Sequence, residues 1–91
     1  MTAKERIVAE GYEDVLVFES PSYDEAFLGV SDSNRAVYDY DLMVECLAKS
    51  DGISEDEARE FIDFNTIRAL PYMGVGAPIV LYRLRDQEEA D

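Results

Sequence analysis

The sequence contains no histidine and only one cysteine, Cys46. The first absence removes the commonest general base and the commonest zinc ligand. The second excludes an internal disulfide and suits a reducing, cytoplasmic setting. Basic residues are also scarce. Eight Lys and Arg stand against 21 Asp and Glu, a formal charge of −13 at pH 7. So anionic a chain lacks the basic surface that direct binding to DNA, RNA or anionic lipid requires. No apolar run is long enough to span a membrane, and the opening MTAKERIVAEGYED has no apolar stretch of signal-peptide type. There is no internal repeat.

Of the 91 residues 47% are apolar, enough for one modest core, so residues 1–91 are expected to form a single domain. The clearest element is SEDEAREFIDFNTIRALPY, Ser54 to Tyr72. Ser54 and Glu57 have the spacing of a capping box, and Glu55, Asp56 and Glu57 load the first turn with anions that favour a helix N-terminus. Ala58, Phe61, Ile62, Asn65 and Ala69 recur at helical spacing, and Phe64 and Ile67 widen that face, which predicts a helix covered over most of its circumference. Pro71 predicts its end near Ala69. Asn65, set among apolar positions, reads either as a buried amide bonded to backbone or as a polar group placed in a site.

The preceding helix starts after Asp39 or Asp41, each a good N-cap. Leu42, Met43, Cys46 and Leu47 form its buried side, Glu45 and Lys49 pair on its wet side, and Gly52 closes it. The short gap to Ser54 predicts a helical hairpin. Strands are expected at Val15–Phe18, Glu25–Val30, Arg35–Tyr38 and Ala77–Leu84, with Ser31-Asp32-Ser33-Asn34 as the turn between the second and third. Residues 1–13 form a loose arm or a short helix, and residues 86–91 a disordered acidic tail. The order β-β-β-α-α-β predicts an α+β fold: a small antiparallel or mixed sheet with the helical hairpin on one face. Six Tyr and four Phe must be placed, so the other sheet face is a candidate homodimer surface.

Chemistry-bearing motifs are weak. Asp51-Gly52-Ile53 resembles part of a calcium loop, but the earlier ligand positions hold Leu47 and Lys49. Gly74 and Gly76 precede a strand, so they cannot aim a helix N-terminus at a phosphate. Cys46 has no histidine to activate it and reads as a small buried thiol. No catalytic residue, metal site or cofactor is expected, and the chain reads as non-enzymatic.

The acids are the remaining signal. Asp56, Glu60 and Asp63 fall at i, i+4 and i+7 on the second helix, while Asp39, Asp41 and Glu45 open the first, interleaved with Tyr38 and Tyr40. Spaced anions beside aromatics can imitate a nucleic-acid backbone towards a basic groove. The plain account of a charge run is a solvated face, and Arg59 dilutes the stripe. Only Lys4 and Lys49 are lysines, which also fits adaptation to high salt or a GC-rich genome.

Three segments, VYDYDLMVECL, SEDEAREFIDFNTIRALPY and APIVL, make about half the chain similar to a group of small uncharacterised proteins of bacteria and their phages and mobile elements. The resemblance brings no activity with it. It implies that Asn65 to Tyr72 is a fixed feature of the fold or of a site, which singles out Asn65, Arg68 and Tyr72. Arg68 is then either a structural partner for Asp39 or Asp41 or an exposed contact. The combined expectation is an acidic module that binds another protein. Its sharp form is a mobile-element inhibitor of anti-CRISPR or anti-restriction type, occupying the nucleic-acid groove of a basic defence enzyme. The alternative is an accessory or homodimerising domain whose acids only confer solubility.

Overall fold

Asp39 is the hinge of the architecture: it is the last residue of the central strand and the N-cap of the first long helix. The computed structural model describes residues 1–84, so the tail expected at 86–91 lies outside the described residues. The elements are α1 (Ala3–Ala9), β1 (Phe27–Val30), β2 (Ala36–Asp39), α2 (Tyr40–Asp51), α3 (Glu55–Phe61) and β3 (Ile79–Leu81). A π-helix (Ile62–Ile67) continues α3, and a 3-10 turn follows at Leu70–Met73. The fold is α+β with a mixed three-stranded sheet in the order β1-β2-β3. β1 pairs antiparallel with β2, and β2 pairs parallel with β3.

The hairpin between β1 and β2 closes as the turn residues require. The Ser31 hydroxyl accepts from the backbone N–H of Ser33 and Arg35, and Asn34 takes the left-handed conformation at φ 64°. The strand expected at Val15–Phe18 does not form. β2 already has a neighbour on each side, so no edge of it is left to pair. The segment instead runs extended over the core, where the Phe18 N–H donates to the Tyr38 hydroxyl at 3.2 Å. β3 covers only three residues of the expected Ala77–Leu84. Its register pairs Leu81 with Asp39, where β2 turns into α2, so the chain beyond has no strand to pair with.

The N-terminal stretch is helical because Thr2 and Glu5 form a reciprocal capping box, and α1 buries Ala3 and Ile7. α2 is a regular helix. Asp39 caps its first turn by accepting from the Leu42 N–H at 3.0 Å, and Gly52 ends it in the left-handed conformation at φ 65°. Met43, Val44 and Leu47 are buried, whereas Cys46 and Leu42 are only half-buried. The Glu45–Lys49 ion pair is not among those formed by the described residues.

The core is aromatic. Phe18, Tyr23, Phe27 and Tyr38 pack ring on ring, with centroids 4.7–5.6 Å apart. Met43, Val44 and Leu47 of α2 and Ala58 and Ile62 of the following helix close over them. Tyr23 adopts φ 52°, an unusual backbone state for a bulky residue. Its burial and a 2.8 Å hydrogen bond between its hydroxyl and that of Thr66 hold it there.

The second helix departs most from its expected form. After Phe61 the backbone widens to the i→i+5 turns of a π-helix. The wider turn carries Thr66 onto the buried stripe of Ala58 and Ile62, within reach of Tyr23. Phe61, Phe64, Asn65 and Ala69, expected on the covered face, point to solvent instead. The helical path does not stop at Ala69 either. It tightens into the 3-10 turn, with Pro71 near its start, where a missing N–H breaks no bond.

Candidate functional site

The outer surface of α3 and the π-helix gathers exposed aromatics and carboxylates. The Ser54–Glu57 capping box sets the start of α3: the Ser54 hydroxyl accepts from the Glu57 N–H, and the Glu57 carboxylate accepts from the Ser54 N–H, both at 3.1 Å. From this end Asp56, Glu60 and Asp63 project outward. The Asp56 side chain is 96% exposed and pairs with Arg59 at 3.1 Å, and Arg59 also reaches Glu55 at 3.5 Å. Glu60 is exposed and forms no ion pair with the described residues.

Between the carboxylates lie Phe61, 39% exposed, and Phe64, 64% exposed. The Arg68 guanidinium sits over the Phe64 ring, 5.5 Å from its centroid. Arg68 is therefore a surface cation on an aromatic face and does not partner Asp39 or Asp41. Asn65 is exposed and donates its amide to the Phe61 carbonyl at 3.0 Å. The bond to backbone is the one expected of a buried amide, but Asn65 is at the surface. Tyr72, on the 3-10 turn, is 90% exposed.

The acids at the start of α2 behave differently. The Asp39 side chain is only 5% exposed and accepts from Arg83 Nε at 2.8 Å as well as capping α2. Its two oxygens are committed to the fold, so Asp39 leaves the candidate acidic surface. Asp41 remains at the surface, with Arg83 at 3.6 Å. Glu45 is exposed on the same helix. Tyr38 is fully buried and leaves the surface as well.

Tyr40 joins the two groups. Its hydroxyl donates to Asp63 at 2.9 Å, and its ring packs on Tyr82 with centroids 4.8 Å apart. Burial first, then the hydrogen bond to Asp63 and the charge of Asp63, push the Tyr40 phenol up to about 12. Tyr40, the first residue of α2, thus ties Asp63 of the π-helix to the start of α2. Sequence reading overlooked Tyr82 and Arg83, both placed in a strand, and the solvent exposure of Phe61 and Phe64. The unbroken helical spacing through Asn65 carries no trace of the wider turn that follows Phe61.

Cys46 lies beside Glu25, Glu45 and Lys49 in a shallow pocket. Burial, then a hydrogen bond to Glu25 and the charge of Glu25, push its thiol up, which favours the inert protonated form. Among the described residues no group of three or more Cys, Asp or Glu side chains is arranged to hold a metal ion. None of their helices is long and apolar enough to cross a membrane. Compared with known protein families, with curated proteins and with solved structures, the chain matches none.

Proposed function

We propose that this chain is a small acidic protein-binding module of the cytoplasm whose contact surface is the outer side of α3 and the π-helix. Its partner is a protein with a basic, nucleic-acid-binding groove, and occupation of that groove inhibits the partner. The module acts by binding, without a cofactor. One observation carries the reading: Glu60 and Asp63 stand in solvent beside two exposed phenylalanines on a single helical surface. A face that served solubility alone has no use for Phe61 and Phe64, because exposed aromatic surface forgoes about 25 cal/mol for each Å² left in water. The large negative charge supports a basic partner, since complementary fields speed encounter and select against anionic competitors. The origin in a phage or mobile element rests on the resemblance of the three sequence segments alone.

The test is capture on immobilised protein from lysate of a bacterial host, eluted by a salt gradient and identified by mass spectrometry, with the variant D56K/E60K/D63K in parallel. A basic nucleic-acid enzyme is expected on the native chain, released at moderate salt and absent from the charge-reversed variant. Equal capture by both proteins overturns the reading. So does recovery of only the chain itself at every salt concentration, which would point to a self-associating domain.

A further inference from the structure

Beside Phe61 and Phe64 the surface dips into a shallow, widely open groove of about 410 Å³, lined by Ile53, Glu57, Glu60, Phe61, Phe64 and Asn65. Ile53, in the link from α2 to α3, is half-buried against the core and makes the groove's fixed apolar wall. The Asn65 amide is bonded to the Phe61 carbonyl, and one oxygen of the Glu57 carboxylate accepts from the Ser54 N–H while the group keeps its charge on the rim. The polar group on the rim left without such a partner among the described residues is the Glu60 carboxylate. The groove therefore offers an apolar seat with an anion at its edge. A second copy of this chain is a poor occupant, because it would bring acid rim against acid rim in a chain of net charge −13.

We infer that this groove seats an apolar side chain from a basic amphipathic segment of a partner protein, with a neighbouring Lys or Arg of that segment on Glu60. The inference rests on the proposed function and gives it a partner chemistry: charge draws the partner in, and the groove selects among basic partners. The two phenylalanines supply the selection. Rings need no deformation to accept an aliphatic or aromatic side chain, and Phe64 lines the groove with the Arg68 guanidinium 5.5 Å from its ring centroid. The rim carboxylates attract a cationic neighbour of the seated side chain and repel an acidic one. Glu60 on its own would discriminate little, since an exposed ion pair is weak and falls with salt.

Two fluorescein-labelled synthetic peptides test this by fluorescence anisotropy across 50–300 mM salt, the range over which surface charge is screened, about 14 to 6 Å of Debye length. One is an 18-residue helix of Arg and Leu with all Leu on one face, a length of about 27 Å. The other has every Leu replaced by Gln and the same charge. The amphipathic peptide is expected to bind about 10-fold tighter than its polar counterpart, the scale of one aromatic anchor. Phe64→Ala should erase that preference. Glu60→Gln should weaken the amphipathic peptide about 2- to 5-fold, the scale of a single exposed ion pair. Phe64 is mostly exposed, so circular dichroism should register an unchanged fold in its variant. Equal binding of the two peptides, or a preference that survives Phe64→Ala, overturns the groove. Either result leaves the charge-driven function standing, since that function is decided by the salt-gradient capture. Absence of binding by both peptides at 50 mM salt overturns the groove as well.

Discussion

α2 and α3 start alike and end differently. Each opens on a side-chain cap, Asp39 for one and Ser54 for the other, and each buries an apolar stripe against the same aromatic core. α2 then runs twelve regular residues to a glycine stop. α3 is regular for seven residues and then opens into a π-helix. The acids divide as well, though not strictly by helix, since Asp41 and Glu45 of α2 are exposed and Glu57 caps α3. At the head of α2, Asp39 is buried, capped into the helix and paired with Arg83. Along α3 and the π-helix the acids face water beside unburied phenylalanines. Carboxylates of one chain thus do two kinds of work: those of the first kind hold the fold, and those of the second are available to a partner.

The sharpest test of that division is Asp39→Ala. The substitution removes a helix cap, worth about 1 kcal/mol and up to 2, and a short ion pair to a side chain that is half in solvent. Together about 2 kcal/mol should be lost, a fall in Tm of roughly 10 °C for a domain of this size. Asp56→Ala, on the exposed surface, should change stability by less than about 0.5 kcal/mol. Thermal unfolding followed by circular dichroism decides between them. Equal effects at Asp39 and Asp56 would erase the distinction. Asp39→Asn, which keeps a capping oxygen and discards the charge, separates the two contributions.

Much of α2 was legible in the sequence, and less of α3, for a physical reason. Asp39, Asp51-Gly52 and the 42–47 stripe act locally, each through neighbours within one or two turns. The capping box of Ser54 and Glu57 is local too, and the structure forms it. The π-helix is not local. It answers a contact from Thr66 to Tyr23, 43 residues away in sequence, and Tyr23 is itself set by a left-handed turn. Helical spacing therefore placed Asn65 on the covered face, and the wider turn moved it off; Phe61, the last residue of regular α3, lies at the edge of that face, 39% exposed. The sheet shows the same limit. The β1–β2 hairpin follows from its turn residues, whereas the choice of β3 over Val15–Phe18 as neighbour to β2 is a competition between distant segments.

Thr66→Val sharpens the comparison at the point where the two helices diverge. The substitution is nearly isosteric and leaves the Tyr23 hydroxyl buried without its 2.8 Å partner. A buried polar group so orphaned costs about 1–3 kcal/mol. Adding Tyr23→Phe removes the orphan, so the double variant should be more stable than Thr66→Val alone. A double-mutant cycle in urea measures this coupling. Strictly additive single effects would mean that the hydrogen bond does not hold the π-helix to the core.

The smallest effect concerns the bridge between the two acid groups. Tyr40 is held above the ordinary phenol range, at about 12, by burial first and then by Asp63 as acceptor and as charge. Because the folded value exceeds the unfolded one, near 10, the bridge contributes its full stability below pH 10. That contribution is lost as pH rises from about 10 through 12. Absorbance at 295 nm, taken as the difference between the native chain and Tyr40→Phe, isolates the titration of this one phenol among the six tyrosines. In an Asp63→Asn background the titration should begin at lower pH, because the anion that disfavours a neighbouring phenolate is gone, and Tyr82, which Asp63 also raises, should shift the same way. If the Tyr40 curve does not move, burial alone sets it, and Asp63 belongs with the free acids of the π-helix rather than with a bridge to α2.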